Sequence, residues 1–273
     1  MVSYAAGMPE GDAVWRAARR LNTALAGQVV TEWELRWGAL GASDRRGRTT
    51  LEVVPRGKHI LLRLDDGWTL HSHLRMEGRW SVVPAERVTR RDRADPYLRA
   101  VVGCARSVAL GRRLGMLDLV PTSREAGLVG QLGPDLLGPD WSAALAIANL
   151  GRRPERHLGA ALLDQENLAG IGTMWCAEIC FLERVSPWAP VGALDAATLD
   201  SVVARAHRLL TGTLRFRESV STGNPRRPLF IYGLPGRPCP RCGTPIASAE
   251  VGEPPRSRML YHCPVCQVRP DAG

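Results

Sequence analysis

The sequence predicts an α+β chain of several units: a β-sandwich with flanking helices over residues 9–125, a helical region over 132–228 and a small cysteine-bearing module over 233–267. Three observations carry this. Strand-like runs with a hairpin turn dominate the first half. Alanine- and leucine-rich helical periodicity dominates the second. Two Cys-x-x-Cys pairs, Cys239-Pro-Arg-Cys242 and Cys263-Pro-Val-Cys266, close the chain.

In order along the chain, residues 1–8 read as an extension ahead of the first element. From Asp12, which suits an N-cap, the apolar residues Val14, Ala17, Ala18, Leu21 and Leu25 recur at helical spacing, and Gly27 stops the helix. Lys58 to Leu64, the Asp66-Gly67 turn and Trp68 to Leu74 read as a hairpin, followed by short apolar runs to about Val120. Two Gly-Pro-Asp turns, at Gly133 and Gly138, mark a change of character. Beyond them, helices are expected over 142–150, 157–168, 173–183 and 195–212, broken by Gly170-Ile171-Gly172 and by Pro187 and Pro190. The polar segment Ser219 to Pro228 reads as a flexible loop.

With 273 residues, 45% of them hydrophobic, the chain can bury a substantial core, which excludes a disordered protein. No apolar run reaches the ~18 residues of a membrane span, and the first residues lack a secretion signal, so a cytoplasmic, nucleoid-associated location is expected. A net charge of +9 points to a polyanionic partner, because clustered cations release counterions from phosphates. Lys58 is the only lysine among 36 cations. Codon bias toward arginine explains the other 35 (36 minus 1), and it marks Lys58 as a candidate for chemistry that a permanently charged guanidinium cannot perform.

Of the seven cysteines, Cys104, Cys176 and Cys180 lie among apolar residues and read as buried free thiols. The other four form two knuckles 20 residues apart, the spacing of a structural zinc ribbon with one ion and no open coordination position. A disulfide or redox pair is the alternative. Arg256 and Arg258 lie between the knuckles and suit phosphate contact, with a solvated charged face as the bland reading.

Four separated motifs then coincide. They are Met8-Pro9-Glu10-Gly11-Asp12; Gly57-Lys58-His59 with His71-Ser72-His73-Leu74-Arg75-Met76-Glu77-Gly78; Leu163-Asp164-Gln165 through Gly170-Ile171-Gly172; and Tyr232-Gly233 leading into the four-cysteine module. In order and spacing, from Met8 to Gln267, they resemble the formamidopyrimidine-DNA glycosylase family, and its endonuclease VIII branch in particular. The resemblance implies a helix-two-turns-helix element in the helical region, a C-terminal zinc finger, and a monomer holding damaged duplex DNA in a basic cleft between its halves.

It also implies roles. Pro9, once terminal, is the secondary-amine nucleophile that attacks C1′ of a flipped nucleotide to give an iminium; Glu10 is the acid beside it, and Lys58 assists base loss and strand elimination. A lysine beside arginines is expected to have a lowered pKa. Met76 fills the gap left by the extruded base. Arg112, Arg113 and Leu114 resemble the Arg-Arg-Phe-Gly loop of the 8-oxoguanine branch, with leucine replacing phenylalanine. Gly172 and Thr173 meet a phosphate at a helix start, with threonine where the family has asparagine. Glu178 matches an acidic position of the DNA-binding set, with a helix-surface glutamate as the bland alternative, and Arg258 matches the finger arginine that reaches the phosphates around the lesion.

The expected activity is removal of oxidised bases, pyrimidines before purines, followed by β- and δ-elimination. Two alternatives stay within the family: an 8-oxoguanine-type glycosylase, and a silent lesion-binding protein if Pro9 remains inside a peptide bond. A zinc-ribbon regulator is the rival from outside it. Because an amide nitrogen cannot attack, Met8 is expected to be the functional start.

Overall fold

A computed structural model describes residues 9–255 and 257–267. Residues 1–8, and Arg256 among the finger arginines, lie outside the described residues. The chain divides into two compact units, one of Ala13–Gln131 and one formed by the stretch up to Asp12 together with the chain from Leu132 onward.

The first unit contains most of helix α1 (Gly11–Leu25) and strands β1 (Glu32–Leu35), β2 (Thr50–Arg56), β3 (His59–Leu64), β4 (Trp68–His73), β5 (Arg79–Pro84), β6 (Leu98–Gly103), β7 (Ser107–Arg112) and β8 (Met116–Pro121), with one-turn helices α2 (Arg90–Arg93) and α3 (Ala126–Val129). Two four-stranded antiparallel sheets, ordered β1-β6-β7-β5 and β2-β3-β4-β8, form a β-sandwich. Val14, Ala17, Ala18, Leu21 and Leu25 pack with Ile60, Leu62, Leu64, Leu70, Val102, Ala109 and Leu117 from both sheets, so the helical period of α1 and the two-residue period of the strands meet in one core. Gly67, at φ 77°, supplies the left-handed residue of the β3–β4 turn.

Period two also leaves a polar face on the second sheet: His59 and Arg63 on β3, Thr69, His71 and His73 on β4, and Asp118 on β8. There Glu125 accepts from Arg63 Nε at 2.9 Å and from Thr69 Oγ1 at 2.5 Å. Asp12 is not an N-cap. The helix already includes Gly11, and the Asp12 carboxylate accepts from Trp175 Nε1 at 2.9 Å and Ser219 Oγ at 2.5 Å.

The second unit holds α4 (Ala143–Gly151), α5 (Leu158–Leu163), α6 (Thr173–Leu182), α7 (Ala196–Thr213) and the hairpin β9 (Ala247–Val251) with β10 (Arg258–His262). The helix expected to 168 ends at Leu163. Asp164 turns to an extended conformation and its Oδ1 accepts from Glu166 N at 3.1 Å, the local competition that favours turns over helix. Gln165 and Asn167 then bond Ile171 O and Ala161 O and brace the following loop. Val251 and Leu260 of the hairpin belong to the same core as Leu150, Leu162, Trp175 and Leu210.

Candidate active site

The N-terminal turn is built into the start of α6. Glu10 is 2% exposed, and its carboxylate accepts from Gly172 N at 2.7 Å, Met174 N at 2.8 Å and Trp175 N at 3.3 Å. Amides at a helix start have no partner within the helix and carry the positive end of its dipole, so an anion is the group they select. Here the anion is a side chain of the protein itself. Gly172, expected to offer its amide to a DNA phosphate, spends it on Glu10; Thr173, likewise assigned to phosphate, is buried. Gly11 N also bonds Gly170 O at 2.9 Å, and a Cβ on Gly11 would sit 2.8 Å from Gly170 Cα. Pro9, partly exposed, enters this turn directly before Glu10.

Glu178 was expected on a helix surface or against DNA, and the structure corrects both. It is fully buried and accepts from Ser221 Oγ and, at 2.8 to 2.9 Å, from the amides of Phe230, Ile231 and Tyr232. Burial pushes its pKa up against the pull of these four donors. The carboxylate thereby fastens one end of the loop expected to be flexible, and Ser219 on Asp12 fastens it again. Only its tip, residues 223–227, is exposed throughout.

In the β-sandwich, Lys58 occupies the turn after Gly57, whose φ is 57°. Beside it, His59 Nδ1 meets His71 Nε2 at 2.8 Å, and His71 Nδ1 meets Asp118 Oδ2 at 2.8 Å. The sequence shows these histidines only as motif letters. Asp118 lies 47 positions from His71, and only the pairing of β4 with β8 brings the two together.

Met76 lies on the loop between β4 and β5 and is 62% exposed, the most exposed large apolar side chain among the described residues. The loop after β7 divides. Arg113, at φ 51°, is exposed, stacks 3.7 Å over the Tyr97 ring and pairs with Glu77. Arg112 and Leu114, assigned to the DNA contact, face inward instead. Arg112 is 8% exposed and its guanidinium is consumed by Asp92 and Asp95, each at 2.8 Å, and by Ser81 at 2.9 Å. Leu114 is buried in the sandwich core. Neither can reach a base stack without unmaking the unit that holds it.

The sulfur atoms of Cys239, Cys242, Cys263 and Cys266 lie within 4.8 Å of one another, the one such group of His, Cys, Asp or Glu among the described residues. Arg241 N approaches Cys239 Sγ and Cys266 N approaches Cys263 Sγ, each at 3.4 Å, the amide-to-sulfur contacts of knuckles that favour thiolates. Four such sulfurs suit a tetrahedral metal ion. Arg258 opens β10, exposed, with its guanidinium on Ser257 O.

Residues 8–115 match the family model described as the formamidopyrimidine-DNA glycosylase N-terminal domain. The chain is 47% identical over 266 residues to a probable endonuclease 8 2 of Streptomyces coelicolor, covering 96% of this chain and 95% of that protein. It is 40% identical over 263 residues to the DNA-(apurinic or apyrimidinic site) lyase Nei2 of Mycolicibacterium smegmatis, covering 96% and 99%. Its fold superposes with a TM-score of 0.80 on the Lactococcus lactis formamidopyrimidine-DNA glycosylase bound to abasic-site DNA, at 23% identity over 96% of this chain and all of that one.

Proposed function

The chain belongs to the formamidopyrimidine-DNA glycosylase family, which makes it a DNA repair glycosylase and lyase, and we propose that it excises oxidised pyrimidines from duplex DNA through an imine at Pro9. The observation that carries this reading is the Glu10 carboxylate, buried and fixed by three amides next to Pro9. The neutral proline nitrogen attacks C1′ as the glycosidic bond breaks, its electron pair leaving with the base. Glu10 takes the proton from the nitrogen now bonded to C1′ and passes it to the sugar ring oxygen as the C1′–O bond opens and the iminium forms. Lys58 assists removal of the C2′ and then the C4′ proton, and the 3′ and 5′ phosphates depart in turn; water releases the protein.

Pro-Glu-Gly-Asp at residues 9–12 favours the endonuclease VIII branch, as do relatives named endonuclease 8. The Arg112-Arg113-Leu114-Gly115 loop that pointed to 8-oxoguanine has its first and third residues occupied inside the sandwich. Met76, Arg113 and Arg258 are the exposed residues that support a DNA-binding role, Met76 as the wedge. Duplexes carrying thymine glycol are expected to be cut at least about tenfold faster than those carrying 8-oxoguanine, a difference of ~1.4 kcal/mol in transition-state binding. A reversed preference in single-turnover rates would place the chain in the other branch.

The four cysteines would hold one structural zinc ion, which supplies a fixed tetrahedral clamp and no open position. Trp188 reports on that clamp, since its Nε1 donates to Glu250 O at 2.8 Å and its ring meets His262 at 4.5 Å, both on the hairpin. Chelation is expected to change tryptophan emission and to weaken DNA binding about tenfold, as loss of one charge-assisted phosphate bond of ~1.5 kcal/mol would. Added zinc should reverse both changes. A chelated protein with unaltered emission and affinity would show that the clamp contributes to neither.

A further inference from the structure

The polar face of the second sheet carries a hydrogen-bonded chain that the reaction above leaves unused. Its members come from three adjacent strands: His59 from β3, His71 from β4 and Asp118 from β8, in the order Asp118, His71, His59. His71 is completely buried, whereas the Asp118 side chain is 41% exposed. The bonding assigns the protons. A carboxylate only accepts, so the hydrogen lies on His71 Nδ1. If His71 carries that hydrogen alone, its Nε2 accepts, which requires the hydrogen of His59 on Nδ1. A neutral His59 is left with its lone pair on Nε2.

Both outer histidines are neutral. Burial, followed by His73, His71, Lys58 and Arg56, pushes His59 down to about 3; burial, followed by Lys58, Arg75 and His71, pushes His73 down to about 4. His73 has the opposite tautomer, because its Nδ1 accepts from Arg75 N at 2.9 Å and its hydrogen must be on Nε2. Two rings 4.9 Å apart therefore present different faces, an acceptor on His59 and a donor on His73. The cations felt by His59 come from β2 (Arg56) and from the turn before β3 (Lys58). A bare nitrogen attracts such a cation, and an N–H in its place would repel it.

We propose that His71 carries a single hydrogen, on the nitrogen facing Asp118, and that the two form a tautomer relay that fixes His59 as a hydrogen-bond acceptor for the Lys58 amine, making His59, His71 and Asp118 positioning residues for the strand-cleavage step. The relay transfers no proton; it determines which nitrogen is bare. It rests on the reading of Lys58 given above. The logic is that of an oriented base held by a carboxylate behind it, extended by one ring.

The test has two arms on the protein starting at Pro9. Ring ¹⁵N spectra of the wild-type protein read the tautomers directly, and hydrogens on His59 Nδ1, His71 Nδ1 and His73 Nε2 are expected. In single-turnover cleavage of an abasic duplex, His59→Leu is expected to lower the rate constant about tenfold, the usual cost of losing an outer partner, with DNA affinity unchanged. His59→Gln, whose amide oxygen can stand where Nε2 stood, should restore most of the rate. A hydrogen on His59 Nε2 overturns the relay, as does equal loss of rate and affinity in His59→Leu, or failure of His59→Gln to rescue. If the wild-type protein itself leaves abasic DNA intact, the lyase reading fails, while the spectra still decide the tautomers.

Discussion

Borohydride reduction is expected to trap a covalent adduct between an abasic or thymine glycol duplex and a chain whose first residue is Pro9, and to trap none with a chain that retains residues 1–8. The difference is one of kind. Within a peptide bond the nitrogen lone pair is delocalised into the carbonyl, and no neighbouring base restores it. As a terminal secondary amine the same nitrogen gives a cationic imine that borohydride reduces to a stable amine. On the reading proposed above, Glu10, next in sequence and held by backbone amides, serves that nitrogen. Trapping by the long form would point to another nucleophile, of which Lys58 is the first to examine because it is the only lysine. If neither form traps while both bind damaged duplex, the protein recognises lesions without cutting them.

Gly172→Ala is expected to lower base excision by about 10²-fold or more, within the range that a positioned acid–base group contributes. Gly172 has φ −123° and ψ −165°, extended backbone open to alanine, so the local conformation costs nothing. The damage comes from the methyl group. An added Cβ would stand 2.4 Å from Glu10 Cδ and 2.6 Å from its Oε1, so the carboxylate must leave the three amides that hold it. Overpacking of this kind costs roughly 1–3 kcal/mol of stability, which thermal unfolding should register. Trapping on a preformed abasic site should fall less, because an aldehyde has no base left to expel. Full excision by Gly172→Ala would show that base loss does not depend on where Glu10 is held. Glu10→Gln, which keeps the volume and loses the acid, separates that outcome from a folding defect.

Elements with a repeating chemical period were legible in the sequence. The apolar positions of α1 all reach the core, and the β3–β4 hairpin turns at Asp66-Gly67 as its composition requires. The two cysteine pairs converge because each knuckle carries its own geometry. What sequence periodicity could not convey is who answers whom across a long span. Glu178 reads as a surface residue because glutamate usually is one, yet every residue of α6 from Thr173 to Phe181 is buried, so that helix has no solvent face. Arg112 reads as a DNA contact until Asp92 and Asp95 are seen to take it. The donors of Glu10 could not be foreseen, since they are backbone amides and no residue type advertises them.

The pairing of Glu10 with Gly172, Met174 and Trp175 spans 162 to 165 residues, with the whole β-sandwich inserted between. A contact of such long range forms late, since loop closure must be completed before it contributes anything. During synthesis the inserted sandwich emerges and can fold while the unit that frames it still lacks α6. A chain that ends after the sandwich is complete and before α6 holds the sandwich but leaves Glu10 without its three amide donors. On the reading proposed above, catalytic competence then arrives with α6, and chains that end before it are expected to leave DNA uncut.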